Sequence, residues 1–141
     1  MSLFAALGAS ASALDAERAR LEVAVSNIAN AESTRGPDGQ PYRRRDVLLS
    51  PSSIESFDAA LGNVGAVGVK VTNIVEDQTS FRKRFEPSHP DADGEGFVSM
   101  PNVDVPEEMV DMVGAARAYQ ANIAAINVIR DTFQRALELG K

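Results

Sequence analysis

The 141-residue chain has no cysteine, no tryptophan, one histidine, and aromatic residues at only 6%. Without cysteine, disulfides and thiolate metal sites are excluded, and cysteine usage says nothing about the compartment. With so few rings, any core must be mostly aliphatic. Positive charge is in deficit: 14 basic against 20 acidic side chains give a net charge of −6 at pH 7. A general nucleic-acid binder needs a basic face to displace counterions, so no nucleic-acid partner is expected. No apolar run approaches the roughly 20 residues that span a bilayer, so no membrane-spanning segment is expected. The opening MSLFAAL, Met1 to Leu7, lacks the basic start and continuous apolar stretch of a secretory signal. Any route out of the cytoplasm is therefore expected to be a different one.

Catalytic chemistry has little to work with. His89 lies between Ser88 and Pro90 ahead of a run of acids. With no cysteine and no G-x-S-x-G, no nucleophile–base–orienter set can be assembled around it. It reads as a turn histidine. No enzyme activity, catalytic residue, metal or cofactor is expected.

What is present is periodic. Apolar residues recur at Leu3, Leu7, Ala11, Leu14, Leu21, Val25 and Ile28, with Arg18 in the one seam position that breaks the pattern. This narrow stripe predicts a helix over about 3–31, packed against one or two others and roughly 40 Å long. The C-terminal stretch matches it: Val105, Met109, Met112, Ala116, Tyr119, Ile123, Ile126, Phe133 and Leu137, with Arg130 as its intruder. Pro106 suits a first helical turn. Asp104 is the expected N-cap, Glu107 and Glu108 favour the positive end of the helix dipole, and Gly140 marks the end.

The middle of the chain differs. Residues 35–44 carry two prolines and two glycines and read as loop. Tyr42 to Leu49 is a possible strand, and 50–62 is expected to be loop. Ala66–Glu76, Phe81–Phe85 and Gly96–Met100 alternate apolar and polar residues and predict three strands. The fold class is α+β: two long terminal helices in an antiparallel, coiled-coil-like hairpin around a small β-rich insert. The expected domains are a discontinuous helical one, 1–31 with 105–141, and a β-rich one over 32–104. If the helix ends are level, residue i lies near 142 − i, within about a turn or two, so that Arg18 faces the region of Ala124 and Ala125 and Arg130 faces Ser12. A thin insert and narrow stripes bury little core per residue, so the chain is expected to assemble with other chains.

Two charged stretches need weighing. Asp91 to Asn102 places oxygen ligands at positions 1, 3, 5 and 9 and glycine at 6, as a calcium loop does. Asn102 stands at position 12 in place of a bidentate Glu, and Pro101 blocks an exiting helix. The alternatives are a calcium-dependent binding module over 91–102 and an acidic hairpin turn. Arg43-Arg44-Arg45 is followed at once by Asp46, which favours a solvated strand edge or an inter-subunit salt-bridge site over a nucleic-acid patch.

Four stretches carry a resemblance: SNIANA from Ser26, PYRR from Pro41, FEPSHPDAD with GFVSMPNV from Phe85 to Val103, and EEMVDM with RAYQAN from Glu107 to Asn122. Together they resemble the bacterial flagellar rod, hook and filament (axial) protein family, and within it the proximal-rod subunits. In many members the first motif continues Asn-Thr; here Glu32-Ser33-Thr34 follows.

The resemblance implies a structural subunit of the basal-body rod. Such subunits are exported by the flagellar type III apparatus without a cleaved signal and polymerise into a helical tube that crosses the periplasm. The tube transmits motor torque and forms part of the export channel. The implied partners are other copies of the chain, other proximal and distal rod proteins, and MS-ring or export-gate base components. The stripe residues and the motif polar groups then become the expected subunit interface. On the first helix these are Leu7, Leu14, Arg18, Leu21, Val25, Asn27, Ile28 and Asn30. On the second they are Met109, Met112, Tyr119, Gln120, Asn122, Ile123, Ile126, Arg130, Phe133 and Leu137. The two asparagines flank the stripe residue Ile28, and are expected to satisfy end-of-helix carbonyls or to form a polar joint.

Overall fold

A computed structural model of the chain describes residues 3–53 and 67–140. The order is α1 (Leu3–Ala29), β1 (Arg45–Ser53), β2 (Val67–Glu76), β3 (Arg82–Phe85), β4 (Phe97–Met100) and α2 (Val105–Leu139). β1 pairs with β2, and β3 pairs antiparallel with β4, in two separate two-stranded sheets. The α+β class and both terminal helices are as the stripes predicted.

The chain gathers into two compact units: Met1–Ala19, Leu48–Asn73 and Gly114–Lys141 form the first, and Arg20–Val47 with Ile74–Val113 the second. Each draws on both helices.

In unit 2, α2 starts as its sequence dictates. The Asp104 carbonyl accepts from the Glu108 amide at 3.0 Å, and its carboxylate from the Glu107 amide at 3.4 Å. This is the N-cap arrangement, which satisfies donors that no helical carbonyl can reach. β4 keeps its period of two: Val98 and Met100 are buried and Ser99 is exposed. With Pro101, Val103, Ala24 and Ala31 they form the core of this unit. β3 differs from expectation, because all four of its residues are exposed. Across to β4, Phe85 packs on Phe97, edge to face at 5.3 Å in directly paired positions.

The hairpin turn between them needs one glycine. Gly96 has φ +84°, and a Cβ there would sit 3.0 Å from the Phe85 ring and 3.1 Å from Pro87. Gly96→Ala should therefore cost about 1–3 kcal/mol. Gly94→Ala, with nothing within 4 Å, should stay within about 0.5 kcal/mol. Urea denaturation of the two variants checks this; equal midpoints would overturn it.

In unit 1 the Ser12 hydroxyl donates to the Ala9 carbonyl at 2.8 Å and accepts from the Val69 amide at 3.1 Å, which fixes β2 on α1. β1 runs through Pro51 to Ser53, four residues into the stretch expected to be loop. Proline is tolerated there because a two-stranded sheet leaves a strand edge unpaired. The rest of that expected loop, 54–62, and the start of the second strand at Ala66 lie outside the described residues. β2 forms as expected, but Val67, Val71 and Ile74 on it are exposed.

The level-ended register, allowed a turn or two, places Phe4 near residue 138 and Asn27 near 115. Phe4 stacks on Phe133 with centroids 5.0 Å apart, and Asn27 bonds Glu108, five and seven residues earlier. Both contacts fall within two turns of that register and are displaced in the same direction. Arg130 shares a cleft with Leu3, Phe4 and Leu7.

Candidate functional site

The two asparagines of the opening motif part company. Asn30 does local work: its amide donates to the Ser26 carbonyl at 2.8 Å, one of the carbonyls a helix end leaves unpaired. Asn27, two turns of α1 beyond Arg20, sits in unit 2 and is 1% exposed. Its amide nitrogen donates to the Arg45 carbonyl at 2.8 Å and to Glu108 Oε2 at 2.9 Å. Its oxygen accepts from the Tyr42 hydroxyl and from the Arg45 amide, each at 2.9 Å. Two donors and two acceptor positions are thus all used.

Glu108 is 2% exposed. Its second oxygen accepts from Arg44 Nε at 2.6 Å, a charge-assisted bond of the strong kind. Burial works against the Arg44 charge. The hydrogen bond to Glu108, its charge, and those of Asp46 and Glu107 outweigh that, and raise the Arg44 pKa above the usual guanidinium value. The pair joins a buried carboxylate to a half-buried guanidinium whose outer nitrogens lie 3.8 and 3.7 Å from Asp46 and Asp111, so the buried charge is compensated, which is the condition under which such a pair is tolerated.

Around this node the connecting segments are tied down. The Asn102 side chain accepts from the Arg44 amide at 2.9 Å and donates to the Asp77 carbonyl and the Thr79 hydroxyl. The Asp77 amide donates to the Arg44 carbonyl at 2.8 Å. The Asp77 carboxylate accepts from the Thr79 amide and is held below the usual carboxylate range, first by that bond and by the Thr79 hydroxyl. Arg43 lies over the Phe81 ring at 4.3 Å and donates to the carbonyls of Asp77 and Thr79. Arg45 pairs with Glu76 at 3.7 Å. The three consecutive arginines therefore serve three separate contacts inside the chain, and Arg44 is no solvated strand edge.

The calcium module over 91–102 is overturned by the same kind of bookkeeping. The Asp91 carboxylate accepts from Thr34 at 2.9 Å and lies 3.4 Å from Arg35. The Asp93 carboxylate accepts the amides of Phe97 and Glu95, which hold it below the usual range. The two acids face different partners. Among the described residues no three His, Cys, Asp or Glu side chains form a group that could hold a metal. The stretch is the acidic hairpin turn, and His89 Nδ1 accepts the Asp91 amide within it.

No buried side-chain nitrogen or oxygen among the described residues lacks a partner. The node joins the end of α1, the start of β1 and the first turn of α2. Sequence reasoning missed Glu108, which it treated as a dipole-favourable surface acid. The signal was its position: Val105, Glu108, Met112 and Ala115 share a helix face, so Glu108 interrupts an apolar stripe.

Of the expected interface residues, only Asn27 is buried. Leu7, Arg18, Val25, Met109, Gln120, Ile123, Arg130 and Leu137 are exposed, and the other nine are half-buried. Phe133 is held by Phe4. The Asn122 amide donates to the Ala118 carbonyl of its own helix. The other buried positions on α1 are Ala5, Ala16 and Ala24, none of them in the expected set, and Ala31 is buried just past its end. No helix among the described residues is long and apolar enough to cross a membrane.

Residues 7–37, which include Asn27, match the family described as flagella basal body rod protein. Residues 95–139 match the flagellar basal body rod FlgEFG protein C-terminal family. The chain is 45% identical to the flagellar basal-body rod protein FlgC of Bacillus subtilis over the full length of both. It is 46% identical to that of Salmonella typhimurium over 92% of each chain, and 36% identical to that of Aquifex aeolicus over its whole length and 99% of that protein. The chain belongs to the flagellar basal-body rod proteins, in the FlgC family. These relatives are named as rod proteins and not as enzymes.

Proposed function

We propose that the chain is a structural subunit of the proximal rod, which polymerises into a helical tube that transmits motor torque and forms part of the export channel. The observation that carries this is the state of the predicted stripe. Leu7, Val25, Met109, Ile123 and Leu137 are all exposed, although their spacing is that of a helix–helix seam. Large apolar side chains at seam spacing on both helices call for cover that the described residues do not supply.

The helices form an antiparallel, coiled-coil-like hairpin; the contacts of Phe4 with Phe133 and of Asn27 with Glu108 support this direction. In the assembly, 1–31 and 105–141 line the tube and 32–104 lies outside them. Other copies of the chain, other rod proteins, and MS-ring or export-gate base components cover the seams. The location is the periplasmic rod, reached by type III export. Removing residues from Phe133 onward takes away the Phe4 partner and the last turns of α2. Rod assembly and swimming motility should then be lost; normal rods and motility would sink the proposal.

A further inference from the structure

Unit 1 holds a cleft of about 330 Å³ lined by Leu3, Phe4, Leu7, Ile129, Arg130 and Phe133. It lies at the end of α2, where Phe133 meets Phe4. Phe4 is 69% exposed on one side of it. Arg130 closes the rim with its guanidinium outward, 64% exposed and paired only loosely with its neighbour Asp131 at 3.6 Å.

The same helix continues one turn past the cleft. Leu137, four residues after Phe133 on the same face, is 67% exposed, and Glu138 beside it is exposed too. Leu137 cannot enter the cleft of its own chain, because the helix that carries it forms one wall. It can enter that of another copy. An apolar knob with an adjacent carboxylate thus matches an apolar hole with a guanidinium on its rim.

The charge distribution permits two copies to meet here. The sequence of unit 1 holds six acidic and six basic side chains, so the whole net charge of −6 lies on unit 2. Like units 1 approach without net repulsion. Knob and hole are different residues, so copies can join head to tail; such a heterologous contact forms a ring where the rotation closes and an open helical filament where it does not.

We propose that Leu137 of one copy seats in the Leu3–Leu7/Ile129–Phe133 cleft of the next, with Glu138 paired to Arg130. This rests on the rod-subunit reading and adds which patches of two copies meet.

The chain has no cysteine, so single-cysteine variants cross-link without background. Leu7→Cys and Leu137→Cys chains, co-expressed in flagellated cells, should give a disulfide-linked dimer in isolated basal bodies. The control pair Leu7→Cys with Val128→Cys should give roughly tenfold less. Leu137→Ala keeps a strong helix former at an exposed position, and should weaken self-association of the purified chain about tenfold or more in sedimentation. Arg130→Glu and Glu138→Arg should each weaken it roughly threefold, and the double swap should restore it.

Three results overturn the proposal while leaving the rod role intact. They are incorporation of both cysteine chains into basal bodies without the linked dimer, a link to a different rod protein in its place, and a double swap no better than the singles. Failure of the wild-type chain to incorporate at all would sink the rod reading, and this contact with it.

Discussion

Asn27→Ala lowers the stability of the purified chain by about 2–3 kcal/mol, because it removes the side-chain partner of the part-buried Arg45 amide and carbonyl and empties a buried position. The Tyr42 hydroxyl can still reach Ser26 at 3.3 Å, and Glu108 keeps Arg44, so those two groups are not stranded. Asn27→Asp is the sharper variant. It has the same shape and keeps both bonds to the oxygen. It also replaces the donor facing Glu108 by a second buried carboxylate, so it should cost as much as alanine or more. Glu108→Gln, whose single oxygen can accept from Asn27 or from Arg44 but not both, turns an amide donor on the other donor and removes the charge facing Arg44, and should cost about 2–3 kcal/mol. Urea denaturation followed by circular dichroism reads all three. An Asn27→Asp variant as stable as wild type would mean that the joint does not hold the fold.

Amide exchange on the isolated chain should run at least about 100-fold faster in 3–19 and 114–139 than around Val98 and Val103. Unit 2 buries Val98, Met100 and Val103 together with the bonded Asn27 and Glu108. Among the described residues of unit 1, the buried side chains are Ala5, Ala16 and Ala115. A buried methyl group contributes about 0.8 kcal/mol, against about 1–2 kcal/mol for ordering each backbone residue. Meanwhile Phe4, Val128, Leu137 and Leu139 are each at least 65% exposed. Helices of this kind depend on tertiary cover, and the isolated chain provides little of it. In assembled rods the same amides should slow toward the rate of unit 2. Equal protection of both units in the isolated chain would contradict this, and would mean that unit 1 is stable without neighbours.

The helices were legible because their signals are local. Stripe spacing, Pro106, the Asp104 cap and Gly140 fix boundaries through interactions within a few residues, and α1 and α2 end within two residues of expectation. Strands β2, β3 and β4 were legible from alternation, and the acidic hairpin from its prolines and glycines. The exact register and the joint were not. Whether Asn27 caps a helix, as Asn30 does, or accepts a backbone amide of β1 depends on which chain segment passes over it, and the same residue type serves both. Whether Glu108 faces water or Arg44 depends on how a helix is rotated. A narrow stripe does not settle that when one side of the helix packs alanines inside the chain and the other shows leucines outside. The sequence by itself determined which segments are helical, that no thiol chemistry is available, and, through its motifs, the family. Only the tertiary structure decided which face of each helix is buried, and that three consecutive arginines have three different partners. Those choices rest on contacts between residues such as Asn27 and Glu108, 81 positions apart, where no local propensity acts.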